Sequence, residues 1–192
     1  MATCGVVSGS KNNTNVCYIS NHRAGLPFRG TVTLTAYDHF GTGKGVVLTQ
    51  KHFALSEGPG VVDWFAAQLP FGNTTSVVST VRDAKGVTLS EHMVQLVKPM
   101  LMRVPVAKIS LKIAKAANAD GSIDITVTSD RVALWVTLTT LAQGRFSDNA
   151  FLLPATTKTV QFIPFSPSTA AHDYPALESS LRVEDFSMYR PV

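Results

Sequence analysis

Charge is scarce in this chain. Only 16% of its 192 residues are Asp, Glu, Lys or Arg, against about 25% in an average globular protein. That scarcity, set beside 45% hydrophobic residues, excludes an intrinsically disordered or coiled-coil polypeptide. Cysteine is scarcer still: Cys4 and Cys17 are the only two, both within the first twenty residues. Neither a CxxC pair nor a Cys/His cluster is present, so a structural zinc site of the usual spacing is not expected. The two positions leave open a short bridged loop or two free buried thiols. No run of about 18 apolar residues occurs, so no membrane-spanning helix is expected and no membrane partner with it. Met1 to Val7 lack the basic stretch and long apolar core of a signal peptide. An exported form would carry its signal upstream, which points to a fragment of a longer polypeptide.

The residue patterns of catalysis are equally thin. The four glutamates, Glu57, Glu91, Glu178 and Glu184, each lie beside turn or edge residues, where a solvated role is expected. The five histidines, His22, His39, His52, His92 and His172, show no HxH or HExxH spacing and read as surface or hydrogen-bonded loop residues. There is no GxSxG elbow, P-loop or dinucleotide fingerprint. Gly41-Thr42-Gly43-Lys44-Gly45 lacks both the GxxxxGK[ST] spacing and a following helix, so it reads as a hairpin turn. No residue is offered as catalytic, cofactor-binding or metal-ligating, and no cofactor is expected. The net charge of +4 comes from 17 Lys and Arg spread along the whole chain. Nucleic-acid binders gather such residues on one face with interleaved aromatics, so no nucleic-acid partner is expected.

What the chain does have is alternation. Thr31 to Tyr37 places Val32, Leu34 and Ala36 on one face and threonines on the other, the period-2 mark of a half-buried strand. Further strands are expected near 14–20, 46–55, 60–66 and 75–82. Asp83-Ala84-Lys85-Gly86 reads as a hairpin turn leading into Val87–Val97. Lys98 to Pro105, with prolines at 99 and 105, has no period and suits a crossing between modules. Beyond it Ile109, Leu111 and Ile113 alternate with polar residues. The turn Asn118–Gly121 follows, then Ile123, Ile125 and Val127, and then Val132 to Leu141, in which Trp135 faces the other way, toward the edge of a contact between modules. Val160–Phe165 and Leu181–Tyr189 complete the strand set, and no helix is expected. Antiparallel strands with one wet face explain such alternation, whereas parallel strands would read as continuous apolar runs. The fold predicted is all-β: two tandem immunoglobulin-like antiparallel β-sandwich modules, residues 1–98 and 99–192.

One segment concentrates varied chemistry. Gly144-Arg145-Phe146-Ser147-Asp148-Asn149-Ala150-Phe151 places a guanidinium, a carboxylate, an amide and two aromatic rings within eight residues. Asp148 and Asn149 suit Asx turns, and Arg145 is placed to pair with Asp148. The plain reading is a rigid, self-satisfied loop; the functional one makes Arg145, Phe146, Asp148 and Asn149 a contact surface for a neighbouring domain or for sugar. Two N-x-[ST] sequons, at Asn12 and Asn73, fall in polar, loop-like stretches and are candidate N-glycosylation sites.

The loop at 144–151, followed by Thr157-Lys158-Thr159-Val160-Gln161-Phe162-Ile163-Pro164-Phe165, resembles the C-terminal end of β-mannosidases, retaining glycoside hydrolases related to β-galactosidase and β-glucuronidase. The resemblance is strong over about the last ninety residues and looser upstream. It implies β-sandwich modules that close a longer chain whose catalytic glutamates sit in a (β/α)₈ barrel. The parent would hydrolyse terminal β-D-mannose from glycans, in a lysosomal or secreted setting, and this part would brace the barrel as its partner. Two other readings stand beside it. One is a free-standing carbohydrate-binding module, with Trp64, Trp135, Tyr174 and Tyr189 as the rings available to stack on glycans. The other is an immunoglobulin-like interaction module.

Overall fold

The computed structural model describes residues 2–5, 14–21, 27–56, 61–70, 72–94, 96–166 and 170–189. The fold is all-β: the strands among these residues pair antiparallel throughout. The chain divides into two compact units, Met1–Asp38 with Gly45–Met102, and His39–Lys44 with Arg103–Val192.

In the first unit, β1 (Ala2–Gly5), β2 (Thr14–Asn21) and β5 (Val61–Gln68) form a sheet in the order β1-β2-β5. Strands β3 (Phe28–Asp38), β4 (Val46–Leu55), β6 (Thr75–Asp83) and β7 (Thr88–Val94) form another, ordered β4-β3-β6-β7. The alternation of β3 does what its pattern requires: Val32, Leu34 and Ala36 are buried, and Thr31, Thr33 and Thr35 take the opposite face. Val32 joins Ile19, Phe53, Leu55 and Val81 in one apolar cluster, while Leu34 joins Cys17, Val77 and Leu96 in another. Each such side chain, fully buried, contributes about 1.5–3 kcal/mol. The β6–β7 hairpin closes through the Asp83 carboxylate, whose Oδ1 accepts the N–H groups of Lys85 and Val87, each at 2.9 Å. Cys17 is disulfide-bonded, and its cross-strand neighbour is Cys4, the chain's other cysteine.

The second unit has the seven-strand, four-plus-three arrangement of an immunoglobulin sandwich. Strands β8 (Ile109–Ile113), β9 (Ile123–Ser129), β11 (Gly144–Phe146) and β13 (Thr157–Pro164) form the sheet β11-β13-β9-β8. Strands β10 (Ala133–Thr139), β12 (Phe151–Leu153) and β14 (Arg182–Glu184) form β12-β10-β14. Ile123, Ile125, Val127, Val136, Leu138 and Phe162 make the centre of its core. His39 is fully buried, and its Nδ1–H donates to the Arg103 carbonyl at 2.7 Å. A buried polar ring of this kind is a bonded structural group.

Two local expectations are corrected. A helix, α1, spans Ala170–Ser180 where none was expected. Tertiary packing overrides its internal Pro175: Leu177 is fully buried in the core, with Tyr174 and Ala176 against the same cluster. The segment 181–189 is also not one strand. After β14, Asp185 caps a short 3-10 turn at Phe186–Met188 by accepting the Ser187 N–H at 3.2 Å.

Candidate functional site

The loop singled out in the sequence sits between β10 and β12, with β11 inside it. Its fixed points follow from three side chains. Phe146 packs edge-on against the buried Phe162, ring centroids 5.7 Å apart. Gly144 permits this, because a Cβ there would lie 2.4 Å from the Phe162 ring. Asp148 pairs with Lys158 at 2.7 Å and not with Arg145; the same ammonium stands 4.6 Å from the centre of the Phe151 ring. Reach across the sheet, not closeness in sequence, decided that partner.

Asn149 completes a ladder. Val136 faces Phe151 in the β10–β12 register, so the next rung would join Leu138 to position 149. The backbone leaves the strand there, with Ala150 at φ 57°, and the Asn149 side chain replaces the missing rung. Its Oδ1 accepts the Leu138 N–H at 2.7 Å, and its Nδ2 donates to the Leu138 carbonyl at 3.0 Å. Arg145, by contrast, is exposed, and among the described residues its guanidinium has no hydrogen bond or ion pair. Beside its strand lie Leu141 and Phe165, 81% and 70% exposed, on segments joined by the Phe165 N–H to the Gln143 carbonyl.

The four aromatic residues named from the sequence are not brought together. Trp64 lies 60% exposed on β5, its ring 5.2 Å from that of its cross-strand neighbour Tyr18. Trp135 is half-buried at φ 50°, at an irregularity in the β10–β12 register, and meets Phe186 edge-on at 5.1 Å. Tyr174 packs against the second core, and the exposed Tyr189 donates its hydroxyl to Glu184 at 2.6 Å. Asn73 is exposed in a bend before β6; Asn12 lies outside the described residues.

Residues 105–189 match the family model of the Ig_mannosidase Ig-fold domain. This segment is similar to the Ig-fold domain of that family. The whole chain resembles the crystal structure of β-D-mannosidase from Dictyoglomus thermophilum, with a TM-score of 0.69 at 15% identity. It covers 96% of this chain and 21% of that one. Amycolatopsis orientalis exo-chitosanase CsxA gives a TM-score of 0.57 at 16% identity, covering 95% of this chain and 25% of the other. At such identities the likeness is one of fold, and the chain spans no more than a quarter of either structure. Comparison with curated protein sequences gives no significant match.

Within residues 105–189, Asp120 and Asp185 are engaged structurally. Asp185 is buried, and burial raises its pKa above the usual 3.8, opposed by hydrogen bonds from Ser187, whose hydroxyl donates at 2.9 Å. Asp120 is held below the usual value, chiefly by the hydrogen bonds of Ser122. Glu178 is exposed on α1 and, in the first unit, Glu91 is exposed on β7; Glu57 lies outside the described residues. Among the described residues no group of three or more His, Cys, Asp or Glu is placed to hold a metal ion. No described helix is long and apolar enough to cross a membrane.

Proposed function

We propose that this chain is the non-catalytic C-terminal part of a β-mannosidase whose parent hydrolyses terminal β-D-mannose, and that it braces the parent's catalytic barrel. The match of 105–189 to the mannosidase-type domain carries this reading. The contact falls to the edge formed by Arg145, Leu141 and Phe165. The guanidinium is uncommitted and the two apolar side chains are almost fully in water, while Phe146, Asp148 and Asn149 hold that edge in place. Arg beside exposed apolar groups is the composition of a docking surface. The purified chain should show no turnover of an aryl β-mannoside. Reproducible turnover that disappears when one glutamate is replaced would overturn the proposal.

A secretory or lysosomal setting is proposed on two features: the disulfide at Cys17, since such bonds persist in oxidising compartments, and the exposed Asn73 sequon. The native protein should lose mass at Asn73 on treatment with a peptide N-glycosidase. An unmodified Asn73 peptide from the native source would count against that setting.

A second reading, glycan binding by the chain itself, is favoured by the Tyr18–Trp64 pair, an exposed aromatic surface of the kind that stacks on sugar rings. Calorimetry with manno-oligosaccharides decides it: heat lost on Trp64→Ala supports it, and no heat at millimolar sugar removes it.

A further inference from the structure

The outer face of the first unit's four-stranded sheet carries a groove of about 500 Å³ among Arg29, Thr31, Thr33, Gln50, His52 and Arg82. The register explains how six residues spread over fifty-four positions meet. Thr31 stands between His52 on β4 and Arg82 on β6, and Thr33 faces Gln50 on the next row. Arg29 lies two residues before Thr31 on the same face, which makes it the diagonal neighbour of Arg82. Gly30 tightens this arrangement: a Cβ there would fall 2.0 Å from the Arg82 carbonyl oxygen, so β3 and β6 approach closely where the two arginines leave the sheet.

Like charges at neighbouring cross-strand positions repel. Among the described residues neither guanidinium has a hydrogen bond or ion-pair partner. The one carboxylate on the groove, Asp83, has its Oδ1 engaged by the turn N–H groups of Lys85 and Val87. The His52 Nδ1 is within 3.0 Å of the Thr31 hydroxyl, which fixes the ring and leaves its Nε2 as the second polar edge. The remaining polar lining is the hydroxyls of Thr31 and Thr33 and the amide of Gln50, and Phe53, Ala84 and two glycines complete the wall.

We infer that this groove binds an acidic oligosaccharide, with a carboxylate or sulfate held between Arg29 and Arg82 and the sugar hydroxyls met by Thr31, Thr33, Gln50 and His52. Guanidinium is suited to the task because its planar fork matches such anions with two hydrogen bonds. A volume of this size exceeds what an inorganic anion fills, and the mix of hydroxyl and amide groups with apolar wall suits the hydroxyls and C–H faces of a sugar chain. The inference does not rest on the proposed β-mannosidase parentage.

The test is a titration of the intact chain with tri-galacturonate, followed by amide NMR, with neutral mannotriose and inorganic phosphate as comparison arms. Saturable shifts at Thr31, Thr33, Gln50 and Arg82 with the acidic trisaccharide are expected, and little response to mannotriose. Arg29→Ala and Arg82→Ala should each weaken binding about tenfold, as loss of a charge-assisted contact does. Both positions are exposed, and an unchanged thermal midpoint separates lost binding from lost fold. Absence of saturable shifts at these residues overturns the inference. Equal affinity for phosphate overturns the oligosaccharide assignment, and equal affinity for mannotriose overturns the role of the charge.

Discussion

Asn149 and Asp148 are adjacent, both polar, and energetically unlike. Asn149 satisfies both backbone groups of a buried residue, so Asn149→Ala leaves a donor and an acceptor of Leu138 without partners. Orphaned buried groups cost about 1–3 kcal/mol each, less where water reaches them. Asp148 makes a partly exposed ion pair with Lys158, and such pairs contribute about 0–1 kcal/mol. Urea unfolding should show Asn149→Ala destabilised by at least about 1 kcal/mol and Asp148→Asn within about 0.5 kcal/mol of the parent. The reverse order would refute the ladder role given to Asn149. Asp185 makes a pH prediction. Its folded pKa is raised by burial, so the native state holds a proton that the unfolded chain has already released. Stability is therefore lost as pH rises from 3.8 through the folded pKa, and the loss persists above it. Asp185→Asn removes that penalty. The difference in melting temperature, variant minus parent, should move in the variant's favour as pH is raised from about 3 toward 7. A difference independent of pH would show that burial does not perturb this carboxyl.

At the scale of elements, the strands were legible because their burial is one-sided. Val32, Leu34 and Ala36 are separated by threonines, and Ile123, Ile125 and Val127 by polar residues, so the pattern states both the conformation and the buried face. Helix α1 was not legible. It contains Pro175, and its hold on the core comes through one fully buried residue, Leu177, with partial support from its neighbours. Leu177→Ala should cost about 2–5 kcal/mol in chemical denaturation, the range for a large-to-small change in a packed core. A loss below about 1 kcal/mol would mean that α1 is not part of the cooperative core. The loop at 144–151 was legible as an unusual cluster, but its wiring was not. Lys158 reaches Asp148, and Asn149 reaches Leu138, only once the register of β10, β12 and β13 is set, and no local pattern states that register. The same reason hid the groove on the first unit. Arg29 precedes the alternating run at 31–37, His52 read as a surface or loop histidine, and nothing in the segments of Arg29, His52 and Arg82 says that they share a face at one end of a sheet. Trp135 and Ala150, at positive φ without being glycine, had no sequence signal at all.

For the molecule as a whole, two antiparallel units with their own apolar cores offer faces, edges and loops, and several polar groups hold those in shape. Asp83, Asp120, Asp185 and Asn149 each close a turn or finish a ladder. The function proposed above gives the chemistry to a catalytic barrel on the same polypeptide and the work of support to this part. Immunoprecipitation of the native protein with antibody to this chain, followed by mass spectrometry of the captured polypeptide, tests that assignment most directly. The account predicts a species several times the 20.6 kDa of this chain, with peptides of alternating strand and helix sequence on the same polypeptide and β-mannosidase activity in the same fraction. A captured species of 20.6 kDa, free of any glycosidase, would contradict it.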